Sequence, residues 1–299
     1  AIFNSIVIPT LIIIVVLVTQ MQGVIINKKV ILKDGLFLIG AEILLLFLLS
    51  SDIITPMHGW VFTGFYIIYL SYTLLSYKKS NNESNNDEPK SRYEKFVFNS
   101  KRRTLNAWML LLFAISFIAI ACAGLVHYAK VLSVELNINM LFVSLVLVAA
   151  ASSVPDTIIS MKDARKGNST DALTNVLGSN IFDITISMGL PLAIYLTVKE
   201  TTIDFTGAGP TLIDIRIILL VITIFTIGVF YFSRTLGKKQ VVILSLLYLL
   251  FILYAIGAAQ YNAGVENILS KLVGQFIEFF EDSMGSFLRD TANSITNNW

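Results

Sequence analysis

Residues 149–191 read AAASSVPDTIISMKDARKGNSTDALTNVLGSNIFDITISMGLP, and the interpretation of the whole chain turns on them. The flanking sequence is almost continuously apolar, whereas this stretch sets prolines, serines, asparagines and aspartates among Ala, Val, Ile and Leu. Polar side chains within hydrocarbon are costly and mark functional positions. Pro155 removes a backbone donor, so a carbonyl upstream, that of Ala151 or a neighbour, is expected to lose its helical partner. Such a break persists at membrane depth only where it lines a cavity or is buried in protein. Ser152, Ser153 and Asp156 sit beside it, and Gly178, Ser179, Asn180 and Asp183 form a second polar cluster in which Gly178 permits close helix approach. Helical counting places Asn180 and Asp183 on one face, and Ser152 and Ser153 near Asp156. Two such helices offer carboxylates, hydroxyls, an amide oxygen and freed carbonyls, with no sulfur or imidazole. That is the ligand set of a hard cation such as sodium, potassium or calcium.

Structural readings stand beside these. Asp156 lies six residues before Lys162 and could sit at the membrane interface. Asp183 lies deep in an uncharged run, where an interfacial position explains less. Ser152 and Ser153 could bond back to their own helix, and Asn180 could simply join two helices. Asp163 and Asp171 lie near Lys162, Arg165 and Lys166 and read as solvated loop charges. Glu42, alone in LIGAEILLLFLL, reads equally as a paired structural group or as facing a pocket.

Around this region lie 299 residues, 55% hydrophobic and 14% charged, with mean hydropathy +0.74. A soluble domain carries about 25% charged residues, so soluble globular classes are excluded. Eight apolar stretches, residues 2–20, 33–51, 57–77, 105–126, 138–161, 172–198, 212–233 and 240–258, are long enough to cross a ~30 Å core as helices. The expected class is therefore an all-α polytopic membrane protein. The single cysteine, Cys122, excludes a disulfide framework, and His58 and His127 are too far apart in sequence to suggest a histidine metal site. No cofactor motif is read, and nothing in the sequence points to nucleic acid. The bilayer and transported cations are the expected partners, with oligomeric state open.

The segment 78–104, which includes KKSNNESNNDEPKSRYEKFVFNSKRR, cannot bury a core and reads as a linker between two membrane halves. If the stretches alternate across the bilayer, Lys28, Lys29, Lys33, eight linker residues, Lys162, Arg165, Lys166, Arg234, Lys238 and Lys239 fall on one side. These are 17 of the 22 Lys and Arg, which assigns that side and the linker to the cytoplasm. The expected organisation is three spans in 1–77, the linker in 78–104, five spans in 105–258 and an extracytoplasmic tail in 259–299. In the tail, Val265, Ile268, Leu269, Leu272, Val273, Phe276, Ile277 and Phe280 recur at helical spacing, as in an amphipathic helix on the outer membrane surface or a tail touching lipid or a neighbour.

The chain also repeats itself. AIFNSIVIP at 1–9 matches NIFDITISM at 180–188 through Ile2-Phe3 and Ile181-Phe182, with Ser5 and Thr185 near-equivalent. Each segment leads into two further stretches, the first preceded by Lys33-Asp34 or Asp214-Ile215-Arg216, and the second by a turn carrying Gly59 or Gly237. Residues 1–75 thus look like a copy of 180–255. Two stretches precede Asn180 in the second copy, so a complete first copy would place about 75 residues and two more spans before Ala1. Ten spans in two inverted halves of five, eight of them visible, is a recurring transporter design with its binding site at the midplane.

On these residues the chain resembles the cation/calcium exchanger superfamily. SSVPDTIISMKDARKGNSTDALTNVLGSNIFD is similar to its second alpha-repeat motif in order and spacing, and the closest similarity is to the potassium-dependent sodium/calcium exchangers. Their second motif has an aspartate where this chain has Asp183, and their first ends in an A-x-F-N sequence like Ala1 to Asn4. The resemblance implies an antiporter, not an enzyme, exchanging sodium for calcium, with potassium as an open third ion, and a plasma-membrane location. It implies Asp156 as the principal calcium carboxylate and Ser153 and Asn180 as sodium or calcium ligands. Ser152, Ser179 and the Ala149 carbonyl would surround them, with Asp183 at the potassium-associated position and Asn4 as the first-repeat amide. Ser152 stands where threonine is usual, and the first-repeat acidic ligand has no counterpart in the chain. The histidine-bearing motif of proton/calcium exchangers is not seen. A proton- or magnesium-coupled exchanger of the same fold and a cation channel remain alternatives. An intramembrane aspartyl protease is disfavoured because its glycine-flanked aspartate context is missing at Asp156 and Asp183.

Overall fold

The computed structural model describes residues 1–80, 103–135, 140–204 and 211–296. Most of the expected linker lies outside them. The described residues are helical apart from short connections: α1 Ile2–Gln20, α2 Lys28–Leu48, α3 Pro56–Ser80, α4 Arg103–Glu135, α5 Val143–Ser152 and α6 Val154–Arg165. They continue as α7 Ser169–Phe182, α8 Met188–Lys199, α9 Thr211–Phe232, α10 Lys238–Asn262, α11 Ile268–Phe280 and α12 Ser286–Thr296. Local chemistry sets several boundaries. Asn27 caps α2 by accepting from the Lys29 amide at 3.2 Å, and α11 opens on the reciprocal Asn267–Ser270 pair at 2.8 and 2.9 Å. Met21 and Glu200, in left-handed conformations, end α1 and α8.

The expected eight spans are not all recovered. Among the described residues, six helical runs are long and apolar enough to cross a membrane, Ser169–Lys199 counting as one, and a seventh qualifies if α5 and α6, bent by 47° at Ser153, count as one. The expected span at 33–51 does form a helix, α2, but it carries Lys33, Asp34 and Glu42, more charge than a simple apolar span tolerates. The stretch expected at 105–126 is also longer, since α4 runs on to Glu135. Its 33 residues make it about 50 Å long. None of its most apolar window is buried, and it packs chiefly on the segment from Met140 to Val148.

The helices interlock across the two copies. α3 packs on α8 as α10 packs on α1; α2 packs on both α7 and α9, and so does α1. Exchanging the copies maps α3–α8 onto α10–α1 and α2–α9 onto itself, whereas α7 lies almost wholly ahead of the repeated segment 180–255. The connections obey the same exchange: β1, Ile53–Ile54 between α2 and α3, pairs antiparallel with β2, Ile203–Asp204 between α8 and α9. The corresponding link joins Val24, between α1 and α2, to Leu236, between α9 and α10, through backbone bonds of 2.8 and 2.9 Å. This pattern is consistent with an inverted repeat. The shared core includes Ile6, Ile12, Leu38, Phe62, Leu173, Ile181, Phe230 and Leu244.

The tail has a definite seat. Val273 and Ile277 of α11 bury themselves against Ala258 of α10, flanked by Tyr254 and Tyr261. Leu288 of α12 joins Leu46, Ile213 and Ile217. Asn293 of α12 donates to Asp52 at 2.7 Å and accepts from the Asp52 amide at 3.0 Å. Of the apolar residues expected on one face, Val273 and Ile277 thus pack on the protein's own helices, whereas Val265, Ile268, Leu272 and Phe276 stay exposed.

Candidate ion-binding site

Four elements carry the expected residues: the first turn of α1, the α5–α6 bend, the end of α7 and the π-helical turn Asp183–Ser187 that joins α7 to α8. Proline at the start of α6 makes the bend because it cannot continue the hydrogen-bond ladder of α5. The Ser153 N–H at the bend donates to the carbonyls of Ala149 and Ala150 at 3.3 and 3.2 Å. Ala149 additionally accepts from the hydroxyls of Ser152 at 3.1 Å and Ser153 at 2.8 Å. Both serines therefore bond back to their own helix, and the Ala149 carbonyl is already well supplied with donors. Ser179 likewise donates to Val176 at 3.1 Å.

Three expected residues are brought together across the copies. The Asn4 side-chain NH₂ donates to Asp156 Oδ2 at 3.4 Å, joining α1 to α6. The Asn180 NH₂ donates to Ser5 Oγ at 2.8 Å and the Ala1 carbonyl at 3.2 Å, joining α7 to the same turn of α1. Ala1 and Ser5, four apart, share the face toward α7, while Asn4 faces α6. Asn4 and Asn180 are 1% and 0% exposed, and the carbonyl oxygen of each side chain is buried with no hydrogen-bond partner. With their NH₂ groups committed, the two amides present bare acceptor oxygens inside the protein. Buried unpaired acceptors cost on the order of 1–3 kcal/mol each, a cost that coordination of a cation would remove.

Asp156 and Asp183 lie within electrostatic range of each other. Asp156 is partly buried, but Asp183 is exposed. Spacing of three leaves it roughly 60° around the helix from Asn180, and the π-helical turn beginning there carries it out of the α7–α1 contact. π-Turns recur at functional positions. Among the described residues, no three His, Cys, Asp or Glu side chains are grouped so as to hold a metal ion.

Two participants were not singled out from sequence as members of the cluster. Ser5 follows Asn4 and stands opposite Ile184 in the repeat, so the repeat marks no polar role there. Glu42, 1% exposed on α2, accepts from Thr223 of α9 at 2.7 Å through Oε1, while Oε2 is buried without a partner. Its isolation in an apolar run gave its importance, but not its neighbour, since Thr223 is 181 residues away.

A helical membrane protein with interlocked helices that bury unpartnered amide oxygens near their contact carries oxygen-only ligand chemistry of the kind that suits hard cations. The family follows from comparison: the chain belongs to the sodium/calcium exchanger protein family, whose model matches residues 106–257. That is a family of transporters rather than enzymes. The chain is 32% identical over 110 residues to sodium/potassium/calcium exchanger 2 of Rattus norvegicus, covering 36% of this chain and 16% of the rat protein. It is 25% identical over 199 residues to sodium/potassium/calcium exchanger 4 of Homo sapiens, covering 66% of this chain and 28% of the human protein. Exchanger 3 of Homo sapiens is 29% identical over 163 residues, covering 54% and 25%. The matched stretches therefore span under a third of these relatives' lengths. No solved structure matches the chain.

Proposed function

We propose that this chain is part of a secondary antiporter of the sodium/calcium exchanger type, moving sodium against calcium through the plasma membrane by alternating access, with residues 78–104 in the cytoplasm. The supporting observation is the contact of Asn4 with Asp156 between the two copies, next to the bare oxygens of Asn4 and Asn180. Asp156 supplies charge for the calcium substrate, and the amide oxygens of Asn4 and Asn180 supply neutral ligands to sodium or calcium. Ser153 and Ser152 reach the ions after turning away from Ala149, whose carbonyl is then released as a ligand. Ser179 and Asp183 stand at the exposed edge, where Asp183 supports a potassium site, as the names of the similar exchangers suggest. Occupancy permits the switch between faces because an empty site leaves carboxylates uncompensated in a low-dielectric interior. The first-repeat acidic ligand is not among these residues, so the site assembles fully only with a carboxylate from elsewhere in the protein.

The test is sodium-gradient-driven calcium flux in vesicles containing the full-length protein. Asp156→Asn is expected to abolish it; flux unchanged by that substitution overturns the assignment. Replacing the sodium gradient with a pH gradient separates this reading from a proton-coupled exchanger.

A further inference from the structure

Each copy buries an aspartate near the start of its middle helix and faces it with a tyrosine from the next. In the first copy Asp34 of α2 meets the Tyr69 hydroxyl of α3, and Lys33 Nζ lies 3.2 Å from Asp34 Oδ1. In the second, Asp214 of α9 faces Tyr254 of α10, but Ile213 stands where the first copy has Lys33. Asp214 is 0% exposed, neither carboxylate oxygen has a hydrogen-bond partner, and the buried Tyr254 hydroxyl has none. Arg216, two residues on, donates to the Leu49 carbonyl. The charge that does face Asp214 is another carboxylate, Glu281, in the π-helical turn Glu281–Gly285 between α11 and α12. Glu281 Oε2 is also buried and unpartnered.

Arg289 of α12 engages Glu281 Oε1 and lies 3.8 Å from Asp52 Oδ1. Within this network three carboxylates face one guanidinium, leaving two negative charges. Four buried oxygens without partners, two from Asp214 and one each from Glu281 and Tyr254, come from three elements. We propose that Asp214, Glu281 and Tyr254 form a binding site for a divalent cation of the calcium type, separate from the transport site, which pins the C-terminal helices to the membrane body. An all-oxygen set selects a hard cation over zinc or copper. An irregular set favours calcium over the strictly octahedral magnesium. Two positive charges match the deficit, and the ion performs for the second copy what Lys33 performs for the first.

The site is tested on the purified full-length protein in detergent by tryptic cleavage at Lys271 and Arg289, with calcium chloride, magnesium chloride or chelator. Calcium is expected to slow both cleavages several-fold relative to chelator, with a smaller effect of magnesium. Asp214→Asn and, separately, Glu281→Gln are expected to make cleavage insensitive to calcium. Asp156→Asn is expected to keep the protection, which separates this site from the transport site whether or not the exchanger reading holds. Cleavage equally fast with calcium and with chelator overturns the proposal, as does protection lost in Asp156→Asn but retained in Asp214→Asn.

Discussion

Glu42 carries a carboxylate into the middle of the helix packing with a single hydrogen-bond donor, Thr223. Thr223→Val keeps the branched shape and deletes the hydroxyl, so Glu42 Oε1 joins Oε2 in having no hydrogen bond. The expected cost is about 1–3 kcal/mol, and Glu42→Leu combined with Thr223→Val should cost less than the two single changes added together. Thermal unfolding of the purified variants reads this; strict additivity would show that the pair does not interact. At this scale the sequence was informative about which residues matter and much less about what they touch. Asn4, Asp156 and Asn180 were legible as polar groups in hydrocarbon. Ser5 was hidden because serine in a membrane helix ordinarily bonds its own backbone. Ser152, Ser153 and Ala149 show the converse: residue type suggested ligands, and local geometry turns the serines back onto their own helix.

Helices were legible where the apolar pattern alone specifies them, and less so where packing or charge intervenes. The α1 boundaries match the apolar run, whereas α4 continues past it to Glu135 and α2 begins before it, at Lys28. The exposure of Asp183 was not legible, because a π-helical turn changes the phase of a helix without leaving a mark in composition. The α3–α8 crossing has a sharper signature. A Cβ at Gly59 would lie 2.5 Å from the Gly189 carbonyl oxygen, and one at Gly189 would lie 2.5 Å from Phe62 Cβ. Backbone stands against Gly59 and cannot move aside as a side chain can. Gly59→Ala is therefore expected to cost at least the about 1–3 kcal/mol usual for overpacking, measured as a lowered unfolding temperature. A variant as stable as the parent would mean that this crossing is looser than described.

For the molecule as a whole, the repeat was legible as two similar runs of sequence, and the inversion followed from counting crossings. The count itself depends on α2, whose charges keep it below the threshold for an apolar span. Cysteine labelling in a Cys122→Ser background resolves this, using the exposed positions Ile25, Ile53, Thr202 and Thr235. An impermeant thiol reagent is expected to label Ile53→Cys and Thr202→Cys on intact cells, and Ile25→Cys and Thr235→Cys only after permeabilisation. Labelling of residues 25 and 53 from the same side would mean that α2 does not cross.

The exchange symmetry of the contacts also constrains how the protein is made. Asn180 and Ser5 are 175 residues apart, Thr223 and Glu42 181, and Lys28 and the Tyr231 carbonyl it bonds 203. At a synthesis rate of roughly 5–20 residues per second, α1 and α2 wait about ten to forty seconds for these partners. During that interval Asn4 and Glu42 reside in the translocation machinery or the bilayer without their native contacts. The early helices are therefore clients of whatever shields polar groups in the nascent chain, and their final seating is a late, post-insertion event.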